Sequence, residues 1–93
     1  MSADGRIRHD GAGHRFELEQ DGQAAFLEYE QDGDRLAITH TVVPEAIGGR
    51  GIAGRLVQAV MEHARQAGLK VVPRCSYAAA WARKHPEFAD ILA

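Results

Sequence analysis

The sequence has 93 residues, which is enough for one domain but not for two. Hydrophobic residues make up 45% of the chain, so a packed core can form, and the single cysteine, Cys75, excludes an intramolecular disulfide. The formal charge of −2 argues against nucleic acid as a partner, because proteins that bind nucleic acid usually have a basic excess. No apolar run approaches the roughly 20 residues that span a bilayer, and no signal peptide is evident. We therefore expect a cytoplasmic protein without membrane or nucleic-acid partners.

The first half of the chain has the pattern of β-strands. Residues 1–13 are predicted to be a flexible segment or a short edge strand, and residues 14–93 to form a single domain. Apolar and polar residues alternate from His14 onward, and Asp-Gly pairs mark two hairpin turns. This predicts three antiparallel strands at about 14–19, 23–30 and 35–43. The third strand is apolar on both sides, with Ile38, His40 and Val42 on one of them, which predicts a central strand covered on both faces.

The second half has the pattern of a helix, a strand and another helix. Apolar residues recur with helical spacing from Ile52 to Ala64, and Gly68 is a candidate C-cap. Residues 69–72 are predicted to form a short strand, and a second helix is predicted from about Ser76 to His85. The predicted order is β-β-β-α-β-α. The strands on either side of the first helix should be parallel, with a right-handed crossover.

A glycine-rich turn lies between the third strand and the first helix. It consists of Gly48, Gly49, Arg50, Gly51, Ile52, Ala53 and Gly54. Free N–H groups at a helix N-terminus, together with the helix dipole, bind anions, and glycines let the backbone approach the ligand closely. The turn therefore suits a pyrophosphate. It lacks the Lys-Ser or Lys-Thr of a P-loop and the repeated strand-helix units of a dinucleotide fold. The alternative is a tight turn with no ligand.

In this setting the stretch from Thr39 to Val57 resembles the signature segment of GNAT-type N-acetyltransferases. Gly51 and Ala53 match the last two fixed positions of that family's turn, whereas Gly48 stands where the family has Gln or Arg. The segments 70–77 and 83–90 resemble the compact, single-domain branch. The resemblance implies an α/β fold, α+β in some schemes: the GNAT-like acyl-CoA N-acyltransferase fold. In that fold a mixed, mostly antiparallel, twisted sheet is flanked by two helices.

The same resemblance implies acetyl-CoA, or coenzyme A, in a gap between the third strand and the strand at 69–72. The pantetheine arm would pair with the backbone of Thr41, Val42 and Val43, and the pyrophosphate would rest on residues 49–54. A small basic cluster is formed by Arg83, Lys84 and His85. It is a candidate to contact the adenosine 3′-phosphate or the ribose end of the cofactor, and the alternative is a solvated helix end. Larger members of the family have N-terminal helices that wall the acceptor site, and this chain has no room for them.

Three side chains are catalytic candidates for direct attack of an amine on a thioester. Cys75 precedes a helix N-terminus and follows Arg74, and both features lower the pKa of a thiol. It is a candidate nucleophile, a proton donor to the leaving thiolate, or simply a packed thiol. His40 is a candidate general base or a core residue, and Tyr77 a candidate proton donor or a packing residue. The backbone N–H of Val42 is a candidate oxyanion donor.

Together these patterns predict an acetyl-CoA-dependent N-acetyltransferase that moves an acetyl group to an unidentified amine, without a metal. The alternatives are a catalytically weak CoA-binding sensor or interaction module and a small interaction domain with no ligand. We expect a monomer or a weak homodimer.

Overall fold

A computed structural model describes residues 4–93. In chain order the elements are β1 (Asp4–Asp10), β2 (Arg15–Gln20), β3 (Gln23–Asp32), β4 (Arg35–Val42), α1 (Ile52–Ala67), β5 (Lys70–Pro73) and α2 (Ser76–Lys84). Short 3-10 helices precede α1, at Glu45–Ile47, and follow α2, at Pro86–Ile91. The element order contains the three predicted strands, the helix, the strand and the second helix, with one further strand at the start.

The five strands form a single sheet in the order β1-β2-β3-β4-β5. The first four are antiparallel neighbours, and β4 and β5 are parallel because α1 crosses between them. The β2–β3 hairpin turns at Asp21 and Gly22, which both have positive φ (52° and 75°), as a tight two-residue turn requires. Of the two alternatives for the N-terminal segment, the described part forms the edge strand β1, and Met1–Ala3 lie outside the described residues.

Helix α1 begins and ends at glycines with left-handed backbone conformations. Gly51 (φ 74°) precedes its first residue, and Gly68 (φ 73°) follows its last and donates its N–H to the carbonyls of Ala64 and Arg65. The predicted apolar stripe is the buried one: Ile52, Leu56, Val57, Val60, Met61 and Ala64 all face the core. Local signals therefore determine both ends of the helix and its packing face.

Only one face of the sheet is covered by helices. Leu18, Leu27 and Ile38 on that face are 1% exposed or less and belong to one core with residues of α1 and α2. The opposite face has polar side chains in solvent, among them Glu30, 71% exposed, and His40, 69% exposed. The prediction that the third strand is covered on both faces is therefore wrong. Small side chains, such as the buried Ala37, gave β4 an apolar pattern on its second face although no helix covers it.

The C-terminal residues complete this single core. Leu92 forms a parallel bridge with Val71 of β5, and Phe88 and Ile91 are buried. Arg65 of α1 donates to the carbonyl of Glu87 at 2.8 Å and lies over the ring of Phe88. Among residues 4–93 there is no helix of the length and apolarity that a membrane crossing needs.

A cluster of aromatic and histidine rings joins the edge strand β1 to α1. The ring of His9 stacks on Phe16 with centroids 4.0 Å apart, contacts His63 edge-on at 4.5 Å, and its Nε2 lies 2.6 Å from the hydroxyl of Tyr29. Partial burial, reinforced by the nearby His63 and His14 and opposed by Asp10, lowers the pKa of His9. The folded chain therefore favours neutral His9, which packs in this cluster without charge.

This cluster predicts a fold that loses stability in mild acid. The pKa of His9 is about 6.5 when the chain is unfolded and lower when it is folded. The unfolded state then binds the proton first, so the free energy of unfolding should fall as pH drops below 6.5 and level off below the folded-state pKa. Urea unfolding at pH 7.5, 6.5 and 5.5 measures this slope. The variant His9→Phe keeps an aromatic ring at this position but cannot titrate. Equal slopes of the free energy of unfolding against pH in both chains would contradict the prediction.

Candidate active site

The parallel strands β4 and β5 separate at a defined point. Their pairing runs from Arg35 and Lys70 to Ile38 and Pro73 and then stops. The carbonyl of Ile38 accepts hydrogen bonds from the N–H groups of both Arg74 and Cys75, at 3.1 and 3.0 Å, as the chain turns into α2. β4 continues to Val42, so its last four residues have no partner from β5 within the described chain. The resulting gap lies where the family resemblance implies one.

Cys75 lies at the edge of this gap, as the N-cap residue of α2. Its thiol is partly buried and donates to the Oγ1 of Thr41, across the gap on β4, over 3.7 Å. Partial burial by itself raises the pKa of the thiol. Hydrogen bonding from the backbone of Ala78 and Tyr77 and from Thr41 outweighs burial, so the pKa of Cys75 is lowered.

The neighbouring Arg74 has a different role from the one expected. Its guanidinium extends over the uncovered face, where Nη1 lies 3.5 Å from Oε1 of Glu30. The helix N-terminus and Thr41, rather than this arginine, lower the pKa of Cys75. Arg74 is next to Cys75 in the sequence but does not lie beside its thiol, because consecutive residues at the end of a strand point to opposite faces of the sheet.

A β-bulge in β4 changes which side chains reach the gap. Tyr29 of β3 pairs with Ile38, but Glu28 pairs with His40, so Thr39 is an extra residue on β4. Beyond the bulge, Thr41 shares the helix-covered face with Ile38, whereas His40 and Val42 lie on the uncovered face with Glu28. The prediction that Ile38, His40 and Val42 share one face is therefore wrong, because simple alternation omits the bulge.

The β4 residues proposed to hold the cofactor differ in exposure. The side chain of Thr41 is partly buried against Cys75, and Val43, just beyond the strand, packs against the core. Val42 is 42% exposed on the other face. A ligand in the gap would therefore meet the backbone of this segment together with the Thr41 hydroxyl.

The glycine turn presents an open backbone surface at the start of α1. Gly49 (φ 77°) and Gly51 (φ 74°) require glycine for their conformation, and a Cβ on either would meet nothing within 4 Å. The first intrahelical bond is from the N–H of Arg55 to the carbonyl of Gly51, so the N–H groups of residues 52–54 have no partner within the helix. Gly48 has an ordinary φ of −68°. The turn thus has the open space and the donors that fit a pyrophosphate.

Two residues of the turn have structural contacts that the sequence did not reveal. Arg50 forms an ion pair with Asp21 in the β2–β3 hairpin, which holds the turn against the sheet. Gly54 permits close approach of the two helices, since a Cβ there would lie 3.3 Å from the Tyr77 hydroxyl and 3.4 Å from Nε1 of Trp81. Tyr77, 42% exposed, therefore has its hydroxyl beside the first turn of α1.

The basic residues of α2 lie at its far end. Arg83 and Lys84 are exposed in its last turn, and His85 stacks on Trp81 with ring centroids 3.6 Å apart. Cys75 is at the other end of the helix, which is roughly 13 Å long at 1.5 Å per residue. No group of three His, Cys, Asp or Glu side chains between Asp4 and Ala93 is arranged to hold a metal ion.

This architecture, a parallel strand pair that separates beside a glycine turn at a helix N-terminus, defines the acyl-CoA N-acyltransferase class of folds. The chain belongs to the GCN5-related N-acetyltransferase family, whose model matches residues 15–91. It is similar to Protein NATD1 of Mus musculus, with 33% identity over 84 residues, covering 87% of this chain and 76% of the relative. The Homo sapiens Protein NATD1 is also 33% identical over 84 residues, covering 87% of this chain and 74% of its own length.

A solved structure has the same architecture. The NMR structure of a GCN5-like protein from Staphylococcus aureus matches with a TM-score of 0.75 and 29% sequence identity, covering 96% of this chain and 88% of that one. The mixed, mostly antiparallel sheet with helices is thus the fold of the family.

Proposed function

We propose that this chain is an acetyl-CoA-dependent N-acetyltransferase. The observation that supports this most is the gap between β4 and β5 beyond Ile38, with a thiol of lowered pKa on one side of it and the glycine turn near by. The N–H groups of the first turn of α1 would hold the pyrophosphate, and the backbone of residues 41–43 the pantetheine arm. Acetyl-CoA would supply the acetyl group as an activated thioester.

Cys75 has two possible roles in this reaction. As a nucleophile, its thiolate attacks the thioester carbonyl carbon, a new C–S bond forms, and coenzyme A leaves as a thiolate that takes up a proton. The amine then attacks the acetyl-cysteine, a C–N bond forms, and the amine loses a proton as Cys75 is released. As an acid, Cys75 instead gives its proton to the thiolate of coenzyme A while the amine attacks directly. Tyr77 is the other candidate proton donor.

The experiment that tests the function combines binding and transfer. Calorimetry with acetyl-CoA and with coenzyme A should show binding of both, because the proposed contacts are to the part they share. A screen of peptide amines and polyamines, spermidine among them, then measures transfer. Binding with no transfer to any amine would contradict the proposed acetyltransferase activity and favour a CoA-binding sensor. The uncovered sheet face is also compatible with a sensor. No binding of either ligand would contradict both.

Replacing Cys75 by alanine should abolish covalent acetylation if the thiol is the nucleophile. Intact-mass spectrometry after incubation with acetyl-CoA should show one added acetyl group, and hydroxylamine should remove it because thioesters are labile and amides are not. Since the chain has a single cysteine, a thioester adduct can lie only on Cys75. We expect Cys75→Ala to lack the adduct and to lose at least about 10²-fold in kcat. Full turnover in Cys75→Ala would exclude both roles.

We also propose that the protein works in the cytoplasm, as a monomer or a weak homodimer. The support is its composition, because a single cysteine gives no disulfide framework of the kind that small secreted proteins use. Size-exclusion chromatography with light scattering measures the oligomeric state.

A further inference from the structure

We propose that Glu28 is a positioning residue, which together with Thr39 fixes the imidazole of His40 so that its Nε2 accepts the proton of the acceptor amine on the uncovered face of the sheet. The inference rests on the proposed acetyl transfer and adds to it the direction from which the amine arrives. It also assigns a role to a carboxylate that the sequence does not single out.

The hydrogen bonds around Thr39 determine which ring nitrogen of His40 carries the proton. The Thr39 hydroxyl donates to the backbone carbonyl of Glu28 at 3.1 Å. It has only one proton, so toward Nδ1 of His40, 3.2 Å away, the same oxygen can only accept. Nδ1 of the neutral ring is therefore protonated, and Nε2 has the lone pair. This is the tautomer that a general base acting through Nε2 needs.

The carboxylate of Glu28 favours the same arrangement. The bulge pairs Glu28 directly with His40, and Oε1 lies 3.7 Å from Nδ1, too far for a hydrogen bond but close enough for an ion pair when the ring is protonated. Arg15 holds the carboxylate from the other side, with Nη2 3.5 Å from Oε2, and its guanidinium stacks on Phe26. Glu28 contacts this imidazole, and Arg15 contacts Glu28.

His40 and Cys75 lie on opposite sides of β4 at the gap. Thr41, next in the chain to His40, contacts Cys75 on the helix-covered face, whereas His40 is on the uncovered face. In this proposal the amine therefore comes in from the uncovered face while the thioester is held beside Cys75.

The proton balance of the step is simple. When the amine nitrogen attacks the acetyl carbonyl carbon, the C–N bond forms and the nitrogen acquires a positive charge, which it loses by giving one proton to Nε2 of His40. The imidazolium that results has its charge offset by the Glu28 carboxylate, and it returns the proton to water on the exposed face.

The test compares Glu28→Ala with Glu28→Gln and with the control Glu30→Ala. Glu28→Gln keeps the size of the side chain but removes its negative charge, whereas Glu28→Ala removes both. Glu30 lies two residues along the same face and pairs with Arg74, not with His40. With spermidine as the probe amine, we expect Glu28→Ala to lower kcat about tenfold, less than the ~10²-fold or greater loss of a general base itself. Glu28→Gln should lower kcat by a similar factor because a neutral amide cannot offset the imidazolium charge. The KM for acetyl-CoA should be unchanged, and Glu30→Ala should stay within about twofold of the unsubstituted chain.

The tautomer of His40 is a second readout that requires neither acceptor nor cofactor. Nitrogen-15 NMR of the unsubstituted chain above pH 7 should show proton occupancy at Nδ1, with a shift toward Nε2–H in Glu28→Ala and Thr39→Val. An Nε2–H tautomer in the unsubstituted chain would overturn the inference, as would equal kcat values for Glu28→Ala and Glu30→Ala. Failure of the unsubstituted chain to transfer acetyl groups to any amine would instead overturn the proposed function, and the assigned step with it.

Discussion

Replacing Gly51 by valine is expected to destabilise the turn before α1 and to lower the affinity for acetyl-CoA about tenfold or more. Gly51 has φ 74°, a conformation in which a β-branched residue is strained by about 1–3 kcal/mol. The helix can relieve that strain only by changing its first turn, whose N–H groups have no partner within the helix and are the proposed pyrophosphate donors. A loss of 1.4 kcal/mol in binding corresponds to a tenfold change in Kd. Calorimetry with acetyl-CoA measures the affinity, and urea unfolding measures the stability.

Gly33→Val is the matched control for this variant. Gly33 also has a positive φ, 62°, and a Cβ there would likewise meet nothing within 4 Å. It lies in the β3–β4 turn, at the end of β4 remote from the gap, so the backbone strain is similar but no cofactor contact is lost. We expect a comparable loss of stability with unchanged affinity for acetyl-CoA. Equal losses of affinity in the two variants would assign the effect to general destabilisation and remove the support for the glycine turn as an anion site.

The elements that the sequence predicts well are those determined by local chemistry. The apolar spacing of α1 and its two flanking glycines lie within one short stretch, so the helix and its buried stripe follow from that stretch alone. The glycine turn and the position of Cys75 before α2 are local in the same sense. These features, rather than overall composition, made the family resemblance recognisable before any geometry was known.

The features that escaped prediction depend on residues distant in sequence. The bulge at Thr39 exists only in the register between β3 and β4, so no periodicity within β4 could show that His40 and Ile38 face opposite sides. Arg50 pairs with Asp21, 29 residues earlier, and Glu28 meets His40 across a hairpin. One signal was available: Glu28, in the second predicted strand, lies on its polar face, and strands joined by a tight hairpin bring polar faces together. The bulge that pairs Glu28 with His40 has no such signal in the sequence.

Replacing Trp81 by alanine is expected to have the largest effect on stability, about 3–5 kcal/mol. Trp81 is 7% exposed, stacks on His85 and packs against Phe88 with ring centroids 5.7 Å apart. It therefore joins α2 to the 3-10 helix at Pro86–Ile91, and its Nε1 lies against the first turn of α1 at Gly54. Truncation leaves a cavity where three elements meet, and a domain of this size has only about 5–15 kcal/mol of total stability. Urea unfolding should show a much lower midpoint, and the melting temperature should fall by on the order of 15–30 °C.

The consequence for the site is that Trp81 holds the helix whose N-terminus stabilises the Cys75 thiolate. A loosened α2 moves the backbone groups of Ala78 and Tyr77 away from the sulfur, so the pKa of Cys75 should rise toward its ordinary value even in the fraction that remains folded. The pH dependence of alkylation by iodoacetamide reports this change directly. Trp81→Phe retains an aromatic ring against Phe88 and should lose less stability while keeping the lowered thiol pKa. Trp81→Ala could unfold easily while its folded fraction alkylates with an unchanged pH profile. In that case Thr41, and not the position of α2, lowers the pKa of Cys75.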